Sequence, residues 1–160
     1  MAEAARDLGH EWIALTDHSP RLTVDVVVAS VHSKLRMPAD QLTERMITAV
    51  SNPHVDVLGR CTGRLIVGRG RPESQFDADQ VFGGCRDHRV AVEINCRPER
   101  QDPPDRLLRV AADMGCLFAI DTDAGQLDWI GSGCARAESF GIERYRVINT
   151  RRAEELRDSP

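Results

Sequence analysis

Three side chains of metal-binding type follow short apolar runs in this chain. His18, His32 and Asp123 each come within three residues of the end of such a run. Runs rich in valine and isoleucine are typical of strands buried on both faces. In α/β proteins, the carboxyl ends of parallel strands meet at one edge, where the chemistry usually takes place. Because imidazole and carboxylate groups suit Zn, Mn or Fe, the pattern predicts a metal site at that edge.

A second interpretation of these residues stays open. A histidine that follows a strand also caps a loop through hydrogen bonds, without binding a metal. Asp17 either orients a neighbouring histidine as an outer carboxylate or closes a turn through its own backbone.

An arginine-rich loop offers a different kind of site. It contains Arg60 and Arg64, followed by Arg69 and Arg71 beside several glycines. Arginine pairs well with phosphate, and glycine allows close approach of the backbone. The loop therefore predicts a weak phosphate site at Arg60 and Arg64, with a solvated loop as the alternative.

Strands and helices alternate along the chain. Apolar runs predict strands at 12–16, 26–31, 55–58, 90–95 and 117–121, and a last short strand at 147–149. Helical spacing predicts helices at 38–50, 77–88, 103–114 and 127–140, with Asp77 as an N-cap, and a terminal helix at 152–157. This alternation predicts parallel β-structure with crossover helices, in a barrel or an open sheet.

The link between the first two predicted strands is short for such a crossover. Seven residues separate His18 from Val26, whereas a parallel connection needs about a dozen or more. Either the two strands form an unusual hairpin, or a helix and a strand are missing between Thr23 and Val26. A complete barrel also usually takes more than about 200 residues, and this chain has 160.

Composition narrows the class of protein. With 41% apolar and 29% charged residues, the chain is typical of one soluble globular domain. Its formal net charge of -4 gives no global basic field for nucleic acid. No apolar run approaches the ~20 residues of a membrane span, so no membrane partner is expected. Five cysteines, none in a C-x-x-C pair, indicate reduced thiols packed in the core of a cytoplasmic protein.

Five motifs then occur in order at the ends of these strands. They are Thr16-Asp17-His18-Ser19, Ser30-Val31-His32-Ser33, the segment 59–64, Val92-Glu93-Ile94-Asn95 and Asp121-Thr122-Asp123-Ala124. Over about residues 12–149, the chain resembles the PHP (polymerase and histidinol phosphatase) family, in particular the PHP domain of bacterial family X DNA polymerases and stand-alone PHP hydrolases. The resemblance implies an α/β fold, a distorted (β/α)7 barrel, and hydrolysis of phosphoesters by a cluster of Zn, Mn or Fe ions. Implied substrates include histidinol phosphate, DNA 3′ ends and small nucleotides.

The resemblance assigns His18, His32 and Asp123 as metal ligands, and other ligand positions of the family are not matched. The family opens with a His-x-His strand. It also has a glutamate ligand after the strand that follows the Thr-Asp-His motif, and that region is absent here, at the short junction between Thr23 and Val26. Arg60 stands where the family has the histidine of a His-Pro-Thr-Gly-Arg motif, and Gly125 stands where it has a histidine after Ala124. We therefore expect a single incomplete PHP-like domain over residues 1–160, without the first strand and a segment near residues 23–26.

This ligand set predicts an impaired enzyme. A catalytic metal needs about three protein ligands and an open position for water, and here each metal of the cluster would keep about one. The expected function is that of a metal-dependent phosphoesterase, either a phosphatase or a 3′-5′ exonuclease-like hydrolase, with doubtful catalytic competence. Two alternatives stay open: a non-catalytic module that binds phosphate or nucleic acid through the arginine-rich loop, and a decayed remnant without activity.

Overall fold

Four parallel strands form one sheet in the computed structural model, which describes residues 26–31, 33–122, 127–152 and 155–156. The strands lie side by side in chain order, β1 to β4. They are β1 (Val28–Ser30), β2 (Val57–Gly59), β3 (Ala91–Asn95) and β4 (Phe118–Asp121). The predicted α/β fold is confirmed at this level. The described residues form part of a wound parallel sheet, and the closed seven-unit barrel stays a prediction.

A helix follows each strand. These helices are α1 (Ala39–Val50), α2 (Ala78–Asp87), α3 (Asp105–Asp113) and α4 (Ile130–Ser139). All four were predicted, but the 3-10 turn Leu127–Trp129 precedes α4 where the sequence predicts continuous α-helix. The predicted N-cap is confirmed, because the Asp77 carboxylate accepts a 3.0 Å hydrogen bond from the backbone N–H of Gln80.

The two faces of the sheet are packed differently. The helices cover one face with large side chains, and its most deeply buried members include Leu58, Phe82, Val92, Ile94, Leu108 and Phe118. The opposite face carries the smaller residues Val57, Ala91 and Ala119, against which Ile148 packs. Side chains alternate between faces along a strand. In each of these strands, the residue two positions after the small residue therefore lies on the same face, nearer the carboxyl end of the strand.

The outer edge of β4 is paired by a loop rather than by a strand. Val147 makes a single parallel bridge to Phe118, and a 3-10 turn begins at Ile148, so the strand predicted at 147–149 is wrong. Beyond this bridge, the side-chain amide of Asn149 bonds to the edge of β4. Its Oδ1 accepts from the Ile120 N–H at 2.7 Å, and its Nδ2 donates to the Ile120 carbonyl at 2.9 Å.

Several predictions lie outside the described residues. These are the strand at 12–16, the junction at 23–25, and most of the terminal helix, of which the structure describes Glu155 and Leu156 in helical conformation. The cysteine prediction is confirmed where it concerns packing. Cys61, Cys85, Cys96 and Cys116 are buried free thiols, and Cys134 is exposed.

Helix α4 packs against the sheet through a glycine, which gives a first prediction. A Cβ atom on Gly133 would lie 2.6 Å from Ile120 Cγ2 and closer still to Cys96 Sγ. Gly133→Ala is therefore expected to lower the free energy of unfolding by about 2 kcal/mol in urea titrations. The matched control is Gly131→Ala on the same helix. A Cβ there meets nothing within 4 Å, so a gain of up to about 1 kcal/mol is expected. Equal stability of the two variants would contradict this packing.

Candidate functional site

The carboxyl edge of the sheet brings together polar residues from distant parts of the chain. Ser30 pairs in register with Gly59, and Asn95 pairs with Asp121. Each of the four is the last residue of its strand. Because all four strands run parallel, these residues meet at one edge, which is where α/β proteins usually place their chemistry.

Glu93 is a deeply buried acid near this edge. It lies two residues before the end of β3, on the same face as Asn95, and is only 4% exposed. Gly59 leaves room for its carboxyl group. A Cβ at that position would lie 3.3 Å from Glu93 Oε2 and 2.7 Å from Val28 Cγ1. The Glu93 side chain therefore lies on the small-residue face of the sheet and is shielded from solvent.

Two donors hold the Glu93 carboxyl group. The backbone N–H of Arg60 donates to Oε2 at 2.5 Å, and the Asn95 side-chain amide donates to Oε1 at 3.1 Å. Burial, followed by the negative charge of Asp121, raises the pKa of Glu93 to about 8, although the Arg60 N–H opposes that shift. A carboxyl group that exchanges its proton near neutral pH is suited to general acid–base chemistry.

Arg60 joins β2 to the loop above the site. It directly follows Gly59 and adopts a left-handed backbone conformation, with φ of 45°. This conformation is uncommon for a residue with a side chain. It allows the Arg60 N–H to point at Glu93. Arg60 thus contributes a backbone donor to the site, and the phosphate role suggested by its guanidinium group stays a prediction.

Arg64, the other predicted phosphate ligand, holds two loops together. Its Nε donates to the Arg100 carbonyl at 2.8 Å, and one terminal nitrogen donates to the Gln101 carbonyl at 2.5 Å. The other terminal nitrogen lies 3.3 Å from the Glu73 carboxylate, and the side chain is 15% exposed. These partners account for much of its hydrogen-bonding capacity. Its predicted role towards phosphate stays untested.

Asp102 is a buried anchor that sequence reasoning missed. Its carboxylate accepts from the Thr62 hydroxyl at 2.8 Å, from the Thr62 N–H at 3.2 Å and from the Gly63 N–H at 2.9 Å. The residue is 1% exposed. Burial raises its pKa, while the hydrogen bonds from Thr62 and Gly63 act in the opposite direction. Asp102 fixes the segment 60–64 above the carboxyl edge, and the only sequence signal was an aspartate ahead of two prolines.

The predicted metal ligands His18, His32 and Asp123 lie outside the described residues. Among the residues that are described, no group of three or more His, Cys, Asp or Glu side chains is arranged to hold a metal ion. Among the strand residues, Glu93 and Asp121 carry carboxyl groups on the same face near this edge. Two such side chains are fewer than the three protein ligands that a catalytic metal usually takes. The described residues alone therefore do not make a metal centre.

No helix in the ranges that the structure describes is both long enough and apolar enough to cross a bilayer.

Comparison with known proteins finds several relatives. No protein-family model matches the chain. It is 35% identical over 136 residues to the DNA polymerase/3′-5′ exonuclease PolX of Bacillus subtilis (strain 168), an alignment that covers 83% of this chain and 24% of PolX. It is 34% identical over 137 residues to a probable phosphatase of Vibrio cholerae serotype O1 (strain M66-2), and 30% identical over 137 residues to one of Vibrio campbellii. Each of these two alignments covers 78% of this chain and 52% of the phosphatase.

The chain thus spans about a quarter of the length of PolX and about half the length of the phosphatases. It is a homologue of these proteins over most of its own length. The resemblance to the PHP family that the sequence motifs predict is confirmed.

Proposed function

We propose that this chain is a PHP-type phosphoesterase domain whose hydrolytic activity is impaired. Its relatives are named as an exonuclease and as probable phosphatases, and both classes of enzyme hydrolyse phosphoester bonds. The proposed substrate is accordingly a phosphoester, with nucleic acids and nucleotides as candidates. The observation that carries the proposal is the buried Glu93 carboxyl group, with Asn95 and Asp121, at the carboxyl edge of the parallel sheet.

The proposed scaffold is the distorted (β/α)7 barrel of the family, as one domain over residues 1–160. In this arrangement β1 to β4 supply four of its strands, and the small-residue face of the sheet is the interior of the barrel. This assignment is supported by the difference between the two faces. Val57, Ala91 and Ala119 leave space within a curved sheet, whereas the larger side chains face the helices.

A divalent metal, Zn, Mn or Fe, is part of this proposal, with His18, His32 and Asp123 as its ligands. When bound, such a metal supplies a nucleophilic water and stabilises charge on the phosphoryl oxygens. The residues of this chain have separate roles. Glu93 holds a proton close to the edge, Asn95 orients its carboxyl group, and the Arg60 N–H fixes the other oxygen.

The proposed impairment follows from two internal positions. Arg60 replaces a histidine ligand of the family, and a cation at that position repels a metal ion. Gly125 follows Ala124 where the family places another histidine. Metal ligands act as one set, so a protein that lacks some of them is expected to retain little activity.

Metal content and hydrolysis test the proposal together. Protein dialysed against Mn²⁺, Zn²⁺ or Fe²⁺ and then against buffer is expected to retain well under one equivalent of metal. It should show no Mn²⁺-dependent hydrolysis of an aryl phosphate above the buffer rate. Arg60→His alone should leave both results unchanged. Combined restoration is expected to raise metal content and to give hydrolysis. It would join Arg60→His to a histidine after Ala124 and to the glutamate-bearing segment between Thr23 and Val26.

Two outcomes would count against this assignment. Two or three tightly bound metals in the original chain, with hydrolysis lost in His32→Ala, would contradict the impairment. A fully restored chain that binds metal and never hydrolyses a phosphoester would contradict the phosphoesterase assignment itself.

A further inference from the structure

A cleft of about 180 Å³ opens between two loops at the carboxyl edge of the sheet. The loop after β1 supplies Leu35, Arg36 and Met37 as one wall. The segment ahead of α2 supplies the other wall, which includes Arg71 and Pro72. The cleft is smaller than the roughly 300–1,000 Å³ that drug-sized ligands occupy. Its volume suits a small molecule.

The two walls are held at a fixed distance from each other. The Ser74 hydroxyl donates to the Leu35 carbonyl at 2.8 Å, and the Ser74 N–H donates to the Thr62 carbonyl at 2.9 Å. Ser74 is itself only 4% exposed. Because Asp102 anchors Thr62 in turn, the cleft walls are linked by hydrogen bonds to the buried segment that Asp102 holds.

Two arginines line this cleft from opposite walls. Arg71 donates from Nε to the Gly63 carbonyl at 2.6 Å, which fixes the plane of its guanidinium group. Its terminal nitrogens make no hydrogen bond to the described residues. Arg36 is exposed and likewise makes no side-chain hydrogen bond or ion pair within the described part of the chain. Both residues line the same cleft, and the described residues do not use all the donors of either guanidinium group.

One carboxylate, that of Glu73, also lines the cleft. It is already paired with two other cations, at 3.3 Å from Arg64 and in close contact with Arg106. The positive charges of Arg64 and Arg106 therefore offset the negative charge with which Glu73 would repel a bound anion. The pair Arg36 and Arg71 keeps the local charge positive, although the whole chain is acidic with a formal net charge of -4.

We propose that this cleft binds a phosphate monoester with a small apolar substituent. The phosphoryl oxygens accept hydrogen bonds from Arg36 and Arg71, since guanidinium groups match phosphate geometry. The substituent packs against Leu35, Met37 and Pro72. This binding needs no metal and stands independently of the proposed hydrolysis, because neither Arg36 nor Arg71 belongs to the Glu93 site.

Titration calorimetry in the presence of EDTA tests the cleft without any metal contribution. The probes are phenyl phosphate and inorganic phosphate, with sulfate at equal ionic strength as a background. Phenyl phosphate is expected to bind the whole chain, and to bind about tenfold more weakly to Arg36→Gln and to Arg71→Gln. The matched control is Arg144→Gln, which removes an exposed arginine near the opposite end of the sheet. It should bind like the original chain.

Comparison of the two cleft variants distinguishes a loss of binding from a loss of folding. Arg71→Gln removes the bond to Gly63, whereas Arg36→Gln removes no side-chain hydrogen bond or ion pair with the described residues, so its fold should be unaffected. Unchanged phenyl phosphate affinity in Arg36→Gln, or no binding by the original chain, would overturn the proposal. Equal affinity for phenyl phosphate and inorganic phosphate would overturn the role of the apolar wall. Because EDTA is present throughout, failure of hydrolysis in the metal experiment leaves these results standing.

Discussion

Replacement of Asp102 with alanine is expected to lower the free energy of unfolding by about 3 kcal/mol. The variant leaves the Thr62 N–H, the Thr62 hydroxyl and the Gly63 N–H without their acceptor in a buried loop. Each unsatisfied buried donor costs about 1–3 kcal/mol, and partial entry of water reduces the sum. Urea unfolding at constant pH measures the loss.

Two further variants distinguish the loss of the Asp102 hydrogen bonds from the general effect of removing a negative charge. Asp102→Asn keeps one carbonyl acceptor and removes a buried charge, so a smaller loss of about 1 kcal/mol is expected. Asp113→Ala removes an exposed acid in the last turn of α3 and should change stability by less than about 0.5 kcal/mol. If Asp102→Ala is no less stable than Asp113→Ala, the carboxylate does not anchor the loop.

Glu93 predicts an unusual dependence of stability on pH. Its pKa is raised from 4.5 to about 8 by burial and by the charge of Asp121. The native state therefore keeps the proton that the unfolded state releases above pH 4.5. Stability is full below that pH and is lost as the pH rises through 8, with a slope of about 1 kcal/mol per pH unit between these values.

Glu93→Gln is expected to flatten this slope. The glutamine carbonyl still accepts from the Arg60 N–H, but its NH₂ faces the amide of Asn95, which costs about 1 kcal/mol at pH 5. At pH 8 the variant should be the more stable protein, since it has no proton to lose, so the two stability curves cross. Glu138→Gln, an exposed glutamate on α4, should follow the original chain at every pH. Parallel curves for Glu93→Gln and the original chain would contradict the raised pKa.

Local patterns were enough to predict most of the described elements. Strands β2, β3 and β4 coincide with apolar runs because burial on both faces demands such runs. Helix α2 begins after Asp77 because an aspartate at that position satisfies an otherwise unpaired backbone N–H. The strand prediction at 147–149 failed because the structure there does not follow from a local sequence pattern. Pairing there depends on the Asn149 side chain, which no periodicity reveals.

The site was harder to predict because long-range contacts determine it. Thr62 and Asp102 are 40 residues apart in the chain, and nothing local to either residue indicates the other. Glu93 faces inward because of the strand register, which places Gly59 beside it. Arg64 has the chemistry of a phosphate ligand, yet its donors are directed at loop carbonyls and at Glu73. Residue type therefore indicated the possible chemistry, and only the fold determined which partners each residue has.

The amide of Asn149 has a consequence for self-association. An unpaired sheet edge offers a row of backbone groups on which another chain can add a strand, and this templating underlies fibre growth. On β4, the Ile120 N–H and carbonyl are already bonded to one side chain. An incoming strand would have to displace that amide as well as the bridge at Val147. The loop thus hinders strand addition at the edge of β4, because it occupies the space there and bonds the backbone groups that another strand would need. Polymerisation by strand addition is therefore disfavoured at this edge.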